Sequence, residues 1–325
     1  MQRRTFLKSA SAAATLLSAN SGFARVLKVE PPIPKLDAHI HLFDPTRTAG
    51  IPWPTPADKL LYRPALPGRY EPIARQFQIH GAIAIEASPW PSDNDWLLDL
   101  IANHPFIVGM VGNLDLASKD FSTQLSRLAQ NPLFLGIRYG NLWGRDLKAD
   151  LSKDGFIAAL KALAITGRVF ESANPDLRLL EALNQISDKV PDLRIVADHL
   201  PNAHYSPAEE KLYWQQITDL STKKNVFAKI SEIPVLQNGT LVSDPAFYRN
   251  RVEGLWQSFG DDRVLFGSDW PNSDTTASFF DTLKIVESIT QTKSRQTQQK
   301  YYASNSLKAY RWQCRSLDQQ QLFPA

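Results

Sequence analysis

Apolar residues fall in short blocks along this chain, and most blocks are followed by a stretch whose apolar positions recur at helical spacing. The blocks "LDAHIHLF" (36–43), "GAIAIEA" (81–87), "FIVGMVGNLDL" (106–116), "LFLGIRYG" (133–140), "GRVFESA" (167–173), "LRIVADH" (193–199), "NVFAKIS" (225–231) and "RVLFGSD" (263–269) read as strands one to eight. Between them, "EPIARQFQIH", "DNDWLLDLIANH" (with Asp93 as its cap), "DFSTQLSRLAQ", "SKDGFIAALKALA", "DLRLLEALNQISDKV", "SPAEEKLYWQQITDLS" and "DPAFYRNRVEGLWQSFG" read as helices. Helical sequence continues from "TTASFFDTLKIVESIT" to the C-terminus. The exception is the segment after strand one, "DPTRTAGIPWPTPADKLLYRPALPGRY". Its prolines remove backbone donors and fix φ, so it predicts a long loop, of the kind that often forms a lid.

Eight strand–helix units in this length predict a (β/α)₈ TIM barrel, an α/β fold. Most of the strands are nearly continuous apolar runs, as strands buried on both faces require. A doubly wound open sheet is the competing architecture. No Gly-x-Gly-x-x-Gly turn follows strand one, so its dinucleotide-binding form is disfavoured.

Ionisable residues interrupt the strands mainly near their C-terminal ends, where a barrel carries its active site. His39 and His41 lie two apart in strand one and share a face if that segment is extended. Glu86 closes strand two, Arg138 strand four, Glu171 strand five, Asp198 and His199 strand six; Lys229 and Glu232 mark strand seven and Asp269 ends strand eight. Singly, each has a structural reading. Together they form one rim of candidate chemistry, with Asp269, His39, His41 and His199 catalytic and Arg138 binding substrate. Lys229 and Glu86 are read either as substrate contacts or as a buried ion pair. Trp53, in the loop, and Trp270, beside Asp269, either cover substrate or pack. His80 and His104 read as helix-end or loop residues, and His204 as a lesser candidate in the loop after strand six.

Composition narrows the partners. The chain has 325 residues and a formal net charge of +3 with no polybasic block, so a small molecule rather than nucleic acid is expected. One cysteine, Cys314, excludes an intrachain disulfide and a cysteine metal site. Residues 1–24, "MQRRTFLKSASAAATLLSANSGFA", combine Arg3-Arg4, a small and apolar run and a small-residue exit. That is a twin-arginine-type signal pattern, with a basic disordered tail as the alternative. The run is too short for a stable membrane span. The expectation is recognition by twin-arginine export machinery and a periplasmic or secreted single domain, 25–325.

The segments "LDAHIHLFDP", "FLGIRYG", "VADHLP", "VFAKIS", "RVLFGSDWP" and "ASNSLKAY" resemble the amidohydrolase superfamily. Within it they are most similar to the amidohydrolase-related group with 2-pyrone-4,6-dicarboxylate lactonases and L-fucono- and L-rhamnono-lactonases. The resemblance spans nearly the whole chain after residue 24 and implies a distorted (β/α)₈ barrel. It places the family's strand-one His-x-His on His39 and His41, its strand-six His on His199, its strand-eight Asp on Asp269 and its "GIR" arginine on Arg138. One departure stands out: strand five offers Glu171 where metal-dependent members have His, and strand four offers Arg138 where two-metal members have a bridging Lys or Glu. A cation there opposes a metal. One Zn²⁺ on His39, His41 and Asp269, with His199 as a further donor, remains chemically available. The sequence leans toward a site that works without a required metal.

The resulting expectation is an exported hydrolase that opens a lactone of an anionic or sugar-acid type. Asp269 activates water, the histidines polarise the carbonyl, and Arg138, with Lys229 as a second contact, clamps the substrate. The alternatives are a metal-dependent amide hydrolase or decarboxylase on the same barrel, and a non-catalytic small-molecule binding protein.

Overall fold

The structure is a computed structural model that describes residues 30–202 and 205–323. The signal-type segment 1–24 and His204 lie outside the described residues. The barrel occupies the compact unit Ile33–Ala325. No helix among the described residues is long and apolar enough to cross a membrane.

Eight parallel strands form one sheet in chain order: β1 (Lys35–His41), β2 (Ile79–Ile85), β3 (Ile107–Gly112), β4 (Phe134–Arg138), β5 (Val169–Glu171), β6 (Ile195–Ala197), β7 (Val226–Ile230) and β10 (Val264–Phe266). The two intervening strands, β8 (Leu236–Gln237) and β9 (Thr240–Leu241), form a separate antiparallel hairpin after β7. The eight-unit alternation is therefore the observed one. The hairpin was not anticipated, although "LQNGTL" carries the Asn-Gly signal of a tight turn, and Asn238 and Gly239 both have positive φ.

The strands are shorter than the apolar blocks. His199 (φ 54°), Glu232 (φ 52°) and Asp269 (φ 62°) sit just past β6, β7 and β10 in left-handed backbone, which ends strand pairing while burial continues. Three local expectations shift. The first helix is Pro67–Arg75, and His80 belongs to β2 because Gln78 turns the chain with φ 61°. The second helix begins at Pro91 with Trp90 at its N-cap, so Asp93 is not the cap; it lies in the first turn and pairs with Arg47 of the long loop at 2.5 Å. Asp176 and Ser206 do cap their helices, Ser206 in a reciprocal box with Glu209.

The barrel closes between β1 and β10 without a regular ladder. An isolated bridge joins Ile40 to Trp270, Asp269 N–H donates to His39 O (2.9 Å), and His41 N–H donates to Trp270 O (2.7 Å). Asp37 staples this seam from inside. Its carboxylate, fully buried, accepts from Ser268 N–H (2.8 Å), Tyr70 O–H (2.6 Å) and His39 N–H (3.1 Å). Gly267 permits the approach, since a Cβ there would lie 2.7 Å from the His39 Cβ.

Replacing Asp37 by Ala orphans those three donors. Each unsatisfied buried group costs about 1–3 kcal/mol, so Asp37→Ala should lose roughly 3 kcal/mol or more, and Tyr70→Phe about 1 kcal/mol. Urea unfolding should show lower midpoints at unchanged slope; a wild-type midpoint for Asp37→Ala would contradict the seam's role.

Candidate active site

The seam delivers β1's two histidines and Asp269 to one point. His39 Nε2 lies 3.3 Å from His41 Nε2, His41 Nε2 lies 3.2 Å from Asp269 Oδ1, and His39 Nε2 lies 3.4 Å from the same oxygen. His41 Nδ1 faces the carbonyl oxygens of Ile85 (3.2 Å) and Glu86 (3.1 Å), which only accept, so Nδ1 carries the hydrogen and Nε2 presents its lone pair in the neutral ring. His39 Nδ1 lies 3.4 Å from Glu171 Oε1 and Asp198 Oδ2, which can accept, and 3.2 Å from Lys229 Nζ, which only donates; in the tautomer with hydrogen on Nδ1, the Nε2 lone pair turns to the same point. With hydrogen on Nδ1 in both rings, two lone pairs and a carboxylate oxygen converge. Their 3.2–3.4 Å separations match the ligand–ligand edge, about 3.3 Å, of a tetrahedron with bonds of about 2.0 Å. His199, with His39 and Asp269, also falls in a group whose ligand atoms lie within 4.8 Å of one another. The donor set fits one divalent ion.

Below this triangle lies a buried charge network. Lys229 Nζ sits 2.7 Å from Glu171 Oε1, 3.0 Å from Asp198 Oδ1 and 3.2 Å from His39 Nδ1; Tyr310 O–H donates to Glu171 Oε2 (2.5 Å). Lys229 is fully buried and does not line the cavity above. Of its two readings, the ion pair is the one observed, with Glu171 rather than Glu86 as partner. Burial and the neighbouring Asp198 push the Glu171 carboxyl up to about 8 despite Lys229. Burial, Lys229, His41 and Arg138 hold His39 well below the usual imidazole range, so its ring is neutral. Burial likewise depresses His199, assisted by His39 and Arg138. Asp269 is held below the usual carboxylate range: burial pushes up, but a hydrogen bond from His41 when its Nε2 is protonated, the field of the His199 and His41 imidazoles and the Asn272 hydrogen bond outweigh it. It is ionised.

Above the triangle a cavity of about 210 Å³ opens to solvent, lined by His41, Trp53, Glu86, Ala87, Arg138, Leu142, Trp143, Asn174, His199, Glu232, Asp269 and Asn272. Of the residues singled out in the sequence, His41, His199, Asp269, Arg138, Glu86, Glu232 and Trp53 line it; for Glu86 and Trp53 the sequence had left a structural reading open. Trp53 reaches back from the long loop to His41, ring centroids 5.7 Å apart. Trp270 is not on the wall; it packs buried against Tyr70. Arg138 donates to His199 Nε2 (3.2 Å) and Ser172 O (3.4 Å) and lies 3.5 Å from Asp198 and 3.8 Å from Glu86. Ser231 Oγ meets His199 Nδ1 at 2.8 Å, which completes the orientation of that ring.

Sequence reasoning passed over Trp143, Leu142, Asn174 and Asn272. Asn272 donates to Asp269 Oδ2 (2.7 Å) and Trp143 Nε1 donates to Glu86 Oε2 (3.1 Å). A signal existed: "NLWG" and "SDWPN" directly follow strand ends that the pattern had located.

A family model described as Amidohydrolase matches residues 36–312. The chain belongs to the amidohydrolase family. Among characterised relatives, an L-fucono-1,5-lactonase of Burkholderia ambifaria is 26% identical over 253 residues, covering 76% of this chain and 83% of that protein. Among solved structures, a Burkholderia multivorans amidohydrolase with bound zinc superposes with a TM-score of 0.75 at 21% identity, covering 86% of this chain and 100% of the other. A probable 2-pyrone-4,6-dicarboxylic acid hydrolase from Acinetobacter baumannii, with citric acid bound, gives 0.67 at 17% identity over 86% and 100%. These structural likenesses establish the amidohydrolase barrel and agree with the strand order above.

Proposed function

We propose that this amidohydrolase opens lactones by hydrolysis. The observation that carries the reading is the triangle of His39 Nε2, His41 Nε2 and Asp269 Oδ1 beneath an open cavity, together with the lactonase named among the relatives. A divalent ion held by His39, His41 and Asp269, with zinc favoured by the two imidazoles, would supply Lewis-acid polarisation of the ester carbonyl. The objection that Arg138 raises to a metal weakens in three dimensions, because Asp198 and Glu86 flank that guanidinium.

The chain's own groups account for the proton and the charge. Asp269, ionised and steered by Asn272, accepts a proton from water as the water oxygen adds to the carbonyl carbon. Arg138 donors on the wall face the charge that develops. The acyl C–O bond breaks, the ring oxygen takes the proton back, and a hydroxy acid leaves. A lactone needs no help in expelling an amine, which suits a site with one ionised carboxylate as base. A metal-dependent amide hydrolase or decarboxylase, and a pure binder, are the alternatives that a substrate panel separates.

Purified protein should hydrolyse lactones in preference to acyl amides, and Asp269→Asn should lower kcat by about 1000-fold with the fold intact by circular dichroism. Release of CO₂, amide turnover alone, or near-normal activity in that variant would overturn the reading. Elemental analysis should find about one zinc per chain. Stripping it with a chelator should abolish turnover and adding it back should restore it; full activity in metal-free protein would return the site to the carbonyl-polarising reading of its histidines.

We also propose, from residues 1–24 alone, that the enzyme is exported by twin-arginine machinery and acts in the periplasm or outside the cell. Arg3→Lys with Arg4→Lys should hold the full chain in the cytoplasm. Unchanged appearance in the periplasmic fraction would refute this.

A further inference from the structure

We infer that the N-terminal end of the barrel carries a phosphate-binding site formed by Arg168, Arg194 and Arg311. It stands apart from the lactonase reading, because the cavity lies at the other end of the strands. Arg168 directly precedes β5, Arg194 directly precedes β6, and Arg311 follows the helix Asn305–Tyr310. Gly167 is where the three meet. Its carbonyl oxygen accepts from Arg194 Nη2, Arg168 is its neighbour in the chain, and Arg311 Nη1 lies 3.7 Å from where a Cβ on Gly167 would stand. Outside Gly167 and its two chain neighbours, no other heavy atom of the described residues comes within 4 Å of that point. A niche is therefore open beside the Arg311 guanidinium.

These arginines differ from the others in what they lack. Arg47, Arg75, Arg127 and Arg178 each pair with a carboxylate, but among the described residues none pairs with Arg168, Arg194 or Arg311. Arg263 and Arg315 also have no carboxylate, yet both terminal nitrogens of each donate to backbone carbonyls. In the cluster, donors are left over. Arg168 Nη2 donates to Ala129 O (2.8 Å), while its Nε is buried without a partner. Arg194, itself buried, donates through Nε to Ala309 O (2.7 Å) and through Nη2 to Gly167 O, with no bond from Nη1. The Arg311 guanidinium donates to nothing among the described residues. Its backbone is left-handed (φ 57°) at the helix C-cap, where glycine is the favoured residue, so the side chain is kept against a conformational cost. Burial and the like charges of Arg311 and Arg168 hold Arg194 down to about 10, which leaves it protonated at neutral pH. Three cations that repel one another and keep free N–H groups suit a tetrahedral dianion. Phosphate presents oxygens to several guanidinium forks at once and cancels the repulsion, which a single carboxylate does less completely. The anion would also pin the floor: Arg194 holds Ala309, Arg311 follows Tyr310, and the Tyr310 hydroxyl holds Glu171.

The test measures thermal unfolding of the purified protein in about 10 mM sodium phosphate against sodium chloride of equal ionic strength. Phosphate should raise the melting temperature by about 3 °C. Arg311→Gly suits the left-handed backbone, and Arg168→Gln keeps the length of a polar side chain; both should fold with the wild-type circular dichroism spectrum. Each should lose at least half of the phosphate-induced rise. Co-sedimentation with phosphatidylglycerol vesicles, against phosphatidylcholine vesicles, separates a lipid phosphate from a free one. A thermal shift that the variants lose assigns free phosphate. Sedimentation that the variants lose, without a thermal shift, assigns a lipid headgroup. No response to either probe, or responses equal in wild type and both variants, would overturn the inference.

Discussion

The carboxylate of Asp37 is the constraint on which the site depends. A barrel of eight strands must join its last strand to its first, and here the join is not a ladder. It is one buried carboxylate shared among Ser268, Tyr70 and the backbone of His39, reinforced by two crossing backbone hydrogen bonds. Charged acceptors make strong hydrogen bonds when buried and fully used. Because Asp37 precedes His39 by two residues and Ser268 precedes Asp269 by one, fixing these partners also fixes the distance between the histidine pair and the acid. The site's geometry is thus a by-product of closing the fold.

The same economy governs charge. Glu171, Asp198 and Asp269 are fully buried and Glu86 nearly so, against the buried cations Lys229 and Arg138. Taking that many carboxylates out of water is tolerable only with close countercharges, shared protons or a bound cation. The structure uses the first two: Lys229 lies between Glu171 and Asp198, and burial raises Glu171 and Glu86 toward protonation. A divalent ion on the triangle would be the third.

Most of this frame was legible in sequence because burial on both faces leaves strands as apolar runs, and an ionisable residue inside such a run is conspicuous. His39, His41, His199, Arg138 and Asp269 were found that way. What sequence could not supply was depth. Lys229 and Arg138 look alike as basic residues in strands, yet one points beneath the floor and the other onto the wall. Both side chains point into the barrel and meet Asp198 there, so their height along the barrel axis decides this, and no single strand's pattern encodes it. Trp270, left open between covering substrate and packing, and Trp143, passed over, part ways for a related reason. Each follows a strand end, but Trp270 turns inward onto Tyr70 while Trp143 turns to Glu86. Loop conformation sets those directions, and no periodicity encodes it.

Backbone conformation shows why the strand ends matter so much. Trp143, Asn174, His199, Glu232 and Asp269 all have positive φ, and all five line the cavity. For residues with a Cβ the left-handed region costs roughly 1 kcal/mol or more each, least for Asn. Glycine would remove the strain but also the side chain. At His199 and Asp269 the strain is held by specific partners: Ser231 and Arg138 on the imidazole, His41 and Asn272 on the carboxylate. These left-handed residues lie in the segments that follow β4, β5, β6, β7 and β10, past the end of strand pairing. Five such turns let different loops present side chains to one volume, while the apolar strands beneath continue undisturbed. The polar residues that break the apolar pattern therefore accumulate at this rim because the backbone is bent there to bring them together.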